Sequence, residues 1–374
     1  MNTRRNDLSI ARGTALRGLA ILIIAYHNFV HLYPTTLNEN EWSFSTENAA
    51  EMWQYLLHPT LTMPSQLISF FGHYGIVVFL FLSGYGLVKR YESGNQATVL
   101  SPVSFIAKHH RKLLVLILPA LVLGILYQAL FSGWSLPVLC RRGVYQVFFI
   151  ANLFPQPKQF VFVPWWFLGM ILQLYVIYRL VIYSPADAKG QRRYGVPLLL
   201  TAVCWLGIRC VAPDSWFNTW LHVNSVGQML PFAVGVIVSR SEQDAMGQTD
   251  NRAKALLRNI AGLAHESHAG KDAIIMVATA ILTVFSSLCY SSWLCTPLFV
   301  VLFSNSLGRL CPKRLLKPFL WVGAISSGIY VMHPLVRAML LRQLGSMHLA
   351  LLVYLAASIA LGWGYHLLQQ RLKH

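Results

Sequence analysis

Apolar runs of roughly 17 to 25 residues recur along the whole 374-residue chain, each long enough to cross a ~30 Å hydrocarbon core as a helix. No water reaches that core, so a spanning segment must satisfy its own backbone N–H and C=O groups. The expected fold is therefore all-α, a polytopic integral membrane protein with a single transmembrane domain over residues 1–374. Hydropathy places about ten spans, roughly at 15–33, 68–88, 112–131, 165–183, 196–212, 225–239, 273–290, 293–308, 319–341 and 348–368. The eighth is short and holds Pro297. The stretch GVYQVFFIANLF from Gly143 is too short to cross and is expected to lie in an interface or to re-enter. The first run starts near Ala15 and outlasts a signal-peptide core, so it reads as an uncleaved anchor. No internal repeat is evident.

Only 11% of the residues are charged, against roughly a quarter in a soluble domain. The formal net charge of +17 sits in short clusters between apolar runs, a pattern of topology signals and not of a nucleic-acid surface. The segment 34–66 carries Glu39, Glu41, Glu47 and Glu51 with no Lys or Arg, and is expected outside. Lys89, Arg90, Lys108 and Arg111 mark the next connection as cytoplasmic. Lys189, Arg192 and Arg193 mark a later one, as do Arg252, Lys254, Arg258 and Lys271. With Arg309, Lys313, Arg314 and Lys317 before the ninth span, and Arg371 and Lys373 after the tenth, both termini come out cytoplasmic. Arg141, Arg142 and Lys158 fall on an outer connection, against the rule.

Cysteines 140, 204, 210, 289, 295 and 311 stand singly, without CxxC or zinc-type spacing, so neither a metal site nor a disulfide framework is expected. The first span, RGLAILIIAYHNFVHL, is more informative. His27 lies ten residues beyond Arg17, about 15 Å along a helix, near the membrane midplane. An ionisable group at that depth faces a cavity or a partner. His31, one turn on, reads as an interface residue. None of the 13 acidic residues falls within the ten spans, so His27 has no carboxylate partner expected at its own depth, which argues against a proton pump or ion-coupled carrier. An imidazole can instead serve as general base toward a hydroxyl near neutral pH.

Five motifs in order resemble the acyltransferase 3 family of integral membrane proteins, which acylate sugars and other hydroxyls at the bacterial surface. LRGLAILIIAYHNF resembles its basic residue followed by an apolar run and His, on Arg17 and His27. GHYGIVVFLFLSGYGL is similar to its glycine, apolar and Ser-Gly pattern, on Gly75, Phe79, Ser83 and Gly84. FIAKHHRKLLVLILP resembles its basic stretch leading to proline, on Arg111 and Pro119. WWFLGMILQLYVIY matches its Trp-Phe-Leu and Gln-x-Tyr elements, on Trp166, Phe167, Leu168, Gln173 and Tyr175. ISSGIYVMHP is similar to its Ser-x-x-Tyr-x-x-His-Pro, on Ser327, Tyr330, His333 and Pro334. One departure concerns the first span. The family usually places ten residues between the basic residue and His; nine stand here. Ten helical steps leave the two side chains about 80° apart, where eleven bring them within about 20°. A local 3₁₀ tightening would realign them.

The resemblance implies a bacterial plasma (inner) membrane enzyme that takes an acyl group, such as acetyl, from cytoplasmic acyl-CoA and delivers it to a hydroxyl of a surface or lipid-linked saccharide. Acyl-CoA is then a donor substrate and no resident cofactor is implied. His27 is the expected catalytic base, or carries the acyl group as a transient acyl-histidine, with Arg17 as second catalytic residue and Asn28 or a neighbouring helix fixing the imidazole. Arg17, Arg90 and Arg111, helped by Lys89 and Lys108, suit the donor phosphates, although the same charges satisfy the positive-inside rule. Ser83 and Gly84 in SGYG suit either helix packing or passage of the pantetheine arm. Gln173, Tyr330 and Ser83 are candidate oxyanion donors or interhelical bonds. His333 before Pro334 is a further candidate contact, with packing as its plainer role. His109 and His110 are placed in a solvated basic connection and assigned no chemistry. The outer segment 34–65, with Trp42, Trp53 and Tyr55, suits stacking on a sugar. Two rival readings stand beside the enzyme, a permease or flippase for a lipid-linked saccharide and a noncatalytic sensor.

Overall fold

The computed structural model describes residues 10–31, 33, 35–92, 100–154, 159–184, 192–246, 269–340 and 347–371, and among them every regular element is a helix. Lys158, Lys189, Arg252, Lys254, Arg258 and Lys373, used above for orientation, lie outside the described residues. The first helix, α1 (Ile10–Val30), is unbroken. Helix α2 (Thr46–Leu57) follows, and then α3 (Met63–Phe71), a 3₁₀ turn (Gly72–Tyr74) and α4 (Gly75–Tyr91) make one path of 29 residues. Next come α5 (Pro102–Phe131), α6 (Leu136–Val147) and α7 (Trp166–Ile177), the last continued by a π-helical turn to Ile182. The remainder is α8 (Arg192–Arg209), α9 (Trp216–Val223), α10 (Met229–Met246), α11 (Ala269–Ser286), α12 (Thr296–Leu310), α13 (Lys313–Ala324), α14 (Ser326–Leu340) and α15 (Met347–Arg371).

Each expected span overlies a helix, but fewer than ten of these helices among the described residues are long and apolar enough to cross a membrane on their own. Six segments are long and apolar enough on their own: α1, α3 through α4, α5, Val163–Ile182, α11 and α15. The pair α13–α14 makes a seventh if taken as one span, and it is bent by 67°. There the Ser326 hydroxyl donates to the Gly323 carbonyl (2.8 Å) and ends α13. The helices that fall short have plain reasons. At 15 residues, α12 extends about 22 Å, less than the hydrocarbon thickness, α8 carries Arg192, Arg193 and Arg209, and α10 ends in the polar run SRSEQD. The 143–154 stretch is divided between the end of α6, a turn and a short 3₁₀ segment.

Side-chain exposure separates inner from outer helices. On α5 the residues Leu118, Val122, Leu126 and Leu130 form one exposed apolar stripe, and Ile274, Val277, Ile281 and Phe285 do the same on α11. Such stripes suit lipid contact. By contrast α1 and α4 are largely buried and form the centre of the bundle. Close backbone approach makes that possible. Gly84 of α4 abuts the Phe232 carbonyl of α10, and Gly235 of α10 reciprocally abuts that of Phe81. Small residues at helix crossings serve this purpose in membranes.

Acidic residues lie just beyond the expected spans yet belong to the helical body, because the helices run past the hydropathy boundaries. Glu92 caps the end of α4 and is inaccessible. Arg240 of α10 clamps it through Nε to Oε2 (2.7 Å) and Nη2 to Oε1 (2.7 Å), and the Tyr178 hydroxyl donates to Oε1 (2.8 Å). Arg240 donates in addition to the carbonyls of Ile182 and Arg193. Asp272 lies in the first turn of α11 and pairs with Arg309 (3.4 Å). His109 and His110 belong to α5, where the sequence reading had a solvated connection. The six cysteines are free.

Removing one partner of a buried ion pair leaves an uncompensated charge, which costs roughly 3–5 kcal/mol. Arg240→Met is therefore expected to lower the stability of the purified protein by about that amount. Arg240→Met combined with Glu92→Leu should recover most of it in thermal unfolding. A single variant as stable as the wild type would contradict the buried pairing.

Candidate active site

His27 faces inward from α1 and is 3% exposed. It packs on the 3₁₀ turn between α3 and α4, where a Cβ on Gly72 would come within 2.6 Å of its own Cβ. Only glycine permits that approach. The ring nitrogen Nδ1 lies 3.3 Å from the Ile68 carbonyl of α3. A carbonyl only accepts, so this contact assigns the proton to Nδ1 and leaves the Nε2 lone pair as the basic one. Of the two expected means of orienting the imidazole, the neighbouring helix is the one in contact, through Ile68 of α3, while the Asn28 amide donates to the Ile24 carbonyl (3.0 Å).

Two more imidazoles surround His27. His31 stacks on it with centroids 4.7 Å apart and planes 13° from parallel, while His73 of the 3₁₀ turn meets it edge-on at 5.7 Å. His31 Nδ1 is 2.9 Å from the His27 carbonyl. Neither nitrogen of the buried His73 has a good hydrogen-bond partner among the described residues. All three rings line one cavity of about 260 Å³. Arg337 of α14 reaches into it, donating through Nη1 to the Asn28 carbonyl (2.7 Å) and to Asn28 Oδ1 (3.3 Å). The Tyr330 side chain lines it too, its hydroxyl donating to the Pro164 carbonyl.

The segment between α1 and α2 forms the rest of the wall. Asn40 Oδ1 accepts the backbone N–H groups of Trp42 (2.8 Å) and Ser43 (3.1 Å), closing a turn that points Glu41 and Trp42 into the cavity. Gln66 of α3 holds the segment down, donating to the Thr35 carbonyl (2.8 Å) and accepting from the Leu37 N–H (3.0 Å). Trp42 meets Trp166 edge-on at 5.6 Å. The expectation that no carboxylate accompanies His27 is thus corrected: Glu41 folds back from the connection and lines the cavity with it. Hydropathy could not place it, because the residue lies outside every span. Glu41 and His73 also line a smaller chamber of about 40 Å³ with His222 and Gln228.

The other sequence candidates separate into two groups. Arg17 does not line the His27 cavity; α1 is α-helical from end to end, so no 3₁₀ tightening brings the two together. Arg17 is exposed and acts electrostatically on Tyr175, whose hydroxyl engages Ser83. The His109 ring lies 4.6 Å from that of Tyr175, with Nε2 3.3 Å from the Tyr91 hydroxyl, and the Arg90 guanidinium sits over Tyr91 at 5.7 Å. These residues make a basic and aromatic cluster toward the other end of α1, with Arg111 exposed on α5. The second group packs. Gly84 serves the α4–α10 crossing. Gln173 spends its amide on Asn224 (2.7 Å) and its carbonyl on the Ser225 N–H (3.0 Å). His333 is inaccessible, with Nδ1 3.1 Å from the Ile329 carbonyl, and does not line the cavity. Among the described residues no cluster of His, Cys, Asp or Glu has metal-binding geometry.

Three lining residues escaped the sequence reading. His73 sits inside the quoted GHYG motif, and Arg337 is an ionisable residue within the ninth expected span, which the cost of intramembrane charge should have flagged. Glu41 was counted only for orientation.

Burial lifts the Glu39 carboxyl from its ordinary 4.5 to about 8, against an opposing hydrogen bond from Asn48, and lifts Glu41 to about 7. Between pH 4.5 and those values the folded chain keeps protons that the unfolded chain has released, so stability falls as pH rises through that window. Thermal unfolding from about pH 5 to about pH 8 should show this decline, and Glu39→Gln or Glu41→Gln should flatten it. Variants that keep the wild-type pH slope would count against buried carboxyls at these positions.

A family model described as an acyltransferase domain, Acyl_transf_3, matches residues 14–367. Comparison with curated proteins and with solved structures returns no match. The matched region takes in α1 from residue 14 onward, with the cavity and the residues around Arg17, and on that extent the chain belongs to the acyltransferase 3 family.

Proposed function

We propose that the protein is a membrane-bound O-acyltransferase of the bacterial inner membrane, with about ten spans and both termini cytoplasmic. It moves an acetyl or other short acyl group from cytoplasmic acyl-CoA to a hydroxyl of a surface or lipid-linked saccharide. The observation that supports it most is the His27 ring, tied at Nδ1 to Ile68 and lining a polar cavity that also holds Trp42, Trp166 and Asn40. Aromatic faces beside amides and a carboxylate suit a sugar ring.

In this reading the cavity faces outward and receives the acceptor. His27 Nε2 takes the proton of the acceptor hydroxyl as its oxygen attacks the thioester carbonyl carbon. The C–S bond then breaks, and the departing thiolate takes the proton from the imidazolium, so that an ester and free thiol result. Ile68 keeps the tautomer fixed throughout, and stacking on His31 holds the ring in place. At the other mouth Arg17, Arg90 and Arg111 bind the donor phosphates, with Ser83 and Tyr175 flanking the thioester arm.

His27→Gln should lower acyl transfer by roughly two to four orders of magnitude, the range for a lost general base, while thermal unfolding stays close to wild type. Transfer at the wild-type rate would remove His27 from the chemistry. Arg17→Ala should instead raise the KM for acyl-CoA with a smaller change in kcat. An unchanged donor dependence would leave Arg17 a topology signal.

A further inference from the structure

Arg337 has no carboxylate partner among the described residues. Three other arginines that reach between helices do have one: Arg240 pairs with Glu92, Arg193 with Asp244 and Arg309 with Asp272. Arg337 spends Nη1 on Asn28 at the C-terminal turn of α1, where a cation also suits the helix dipole. Nε and Nη2 make no hydrogen bond within the described residues, and the side chain lines the His27 cavity. A guanidinium held at this depth without a counter-ion carries an unrecovered desolvation cost, and an anion entering the cavity relieves it. Its planar fork is suited to two oxygens of one carboxylate or phosphate.

Several features fit an anionic guest. The cavity volume, about 260 Å³, falls just under the ~300 Å³ at which small-molecule sites begin, room for a single sugar ring with one substituent. Glu41 is the one carboxyl among the lining residues, and it faces Tyr330 and Trp166. Asn28 shares Arg337 and follows His27 in sequence, so a group seated on the guanidinium lies on the wall next to the imidazole.

We propose that Arg337 is a specificity-determining residue that binds an anionic substituent of the acceptor, a carboxylate or a phosphate, and so selects acidic over neutral saccharide units. The inference rests on the acyltransferase reading for the word acceptor, and its test does not depend on turnover.

The purified full chain in nanodiscs is titrated calorimetrically with D-glucuronate, D-glucose 1-phosphate and D-glucose. At least one of the two anions should bind about tenfold or more tightly than glucose, with a preference that shrinks at high salt. Tighter glucuronate assigns a sugar acid, and tighter glucose 1-phosphate assigns a phosphate-bearing unit. His27→Gln should keep the preference, so loss of acyl transfer and loss of anion selection are read separately. Arg337→Met should abolish the preference. If that variant fails to fold, Arg337→Lys decides, because a point charge without the fork should cut the preference several-fold. Equal binding of charged and neutral sugars by the wild type would overturn the proposal, as would a preference undiminished in Arg337→Met or, where that does not fold, in Arg337→Lys.

Discussion

The contact between α1 and the turn joining α3 to α4 governs the rest of the molecule. At Gly72 the two backbones come close enough that His27 lies flat on the turn. That approach puts the Ile68 carbonyl within reach of Nδ1 and brings His73 against the same ring. A larger residue at 72 would push α1 outward, and with it His31 and the Asn28 carbonyl that Arg337 holds. The polar chamber exists because two helices touch without side chains between them.

Around that contact, the bundle handles its charges in two different ways. Glu92 and Arg240 are inaccessible, and every oxygen of the carboxylate meets a donor. Such a pair contributes registry more than stability. It ties the end of α4 to α10 and to the π-helical turn after α7. The chamber at the other end of α1 is left incomplete by contrast, with both His73 nitrogens and the Arg337 Nε and Nη2 unbonded among the described residues.

Hydropathy read the architecture well, because apolar runs and helices coincide wherever a segment faces lipid on one side, as along α5 and α11. It read the inner boundaries poorly. Charged residues such as Glu92 and Asp272 end a hydropathy window, yet α4 runs on to a Glu92 cap and α11 starts before Asp272, each carboxylate meeting a cation of a neighbouring helix. The single expected span over 319–341 is a bent pair, since hydropathy carries no signal for the break at Ile325. In the cavity, His27 was legible from its depth in an apolar run. Glu41 was not, because its place depends on Asn40 turning the chain and on Gln66, distant in sequence, holding it down. Gln173 and His333, which sequence left between chemistry and packing, fasten a turn and fill a packed interior.

The regularity of α1 has a geometric consequence for any molecule handled at both of its ends. Residues 17 and 27 point about 80° apart when viewed down the axis of an unbroken helix, and are separated by about 15 Å in height. A flexible tether anchored beside the first and delivering its tip to the second must follow a spiral ramp around the helix. A straight shaft parallel to the axis would miss the imidazole, so the chirality of α1 sets the handedness of the route.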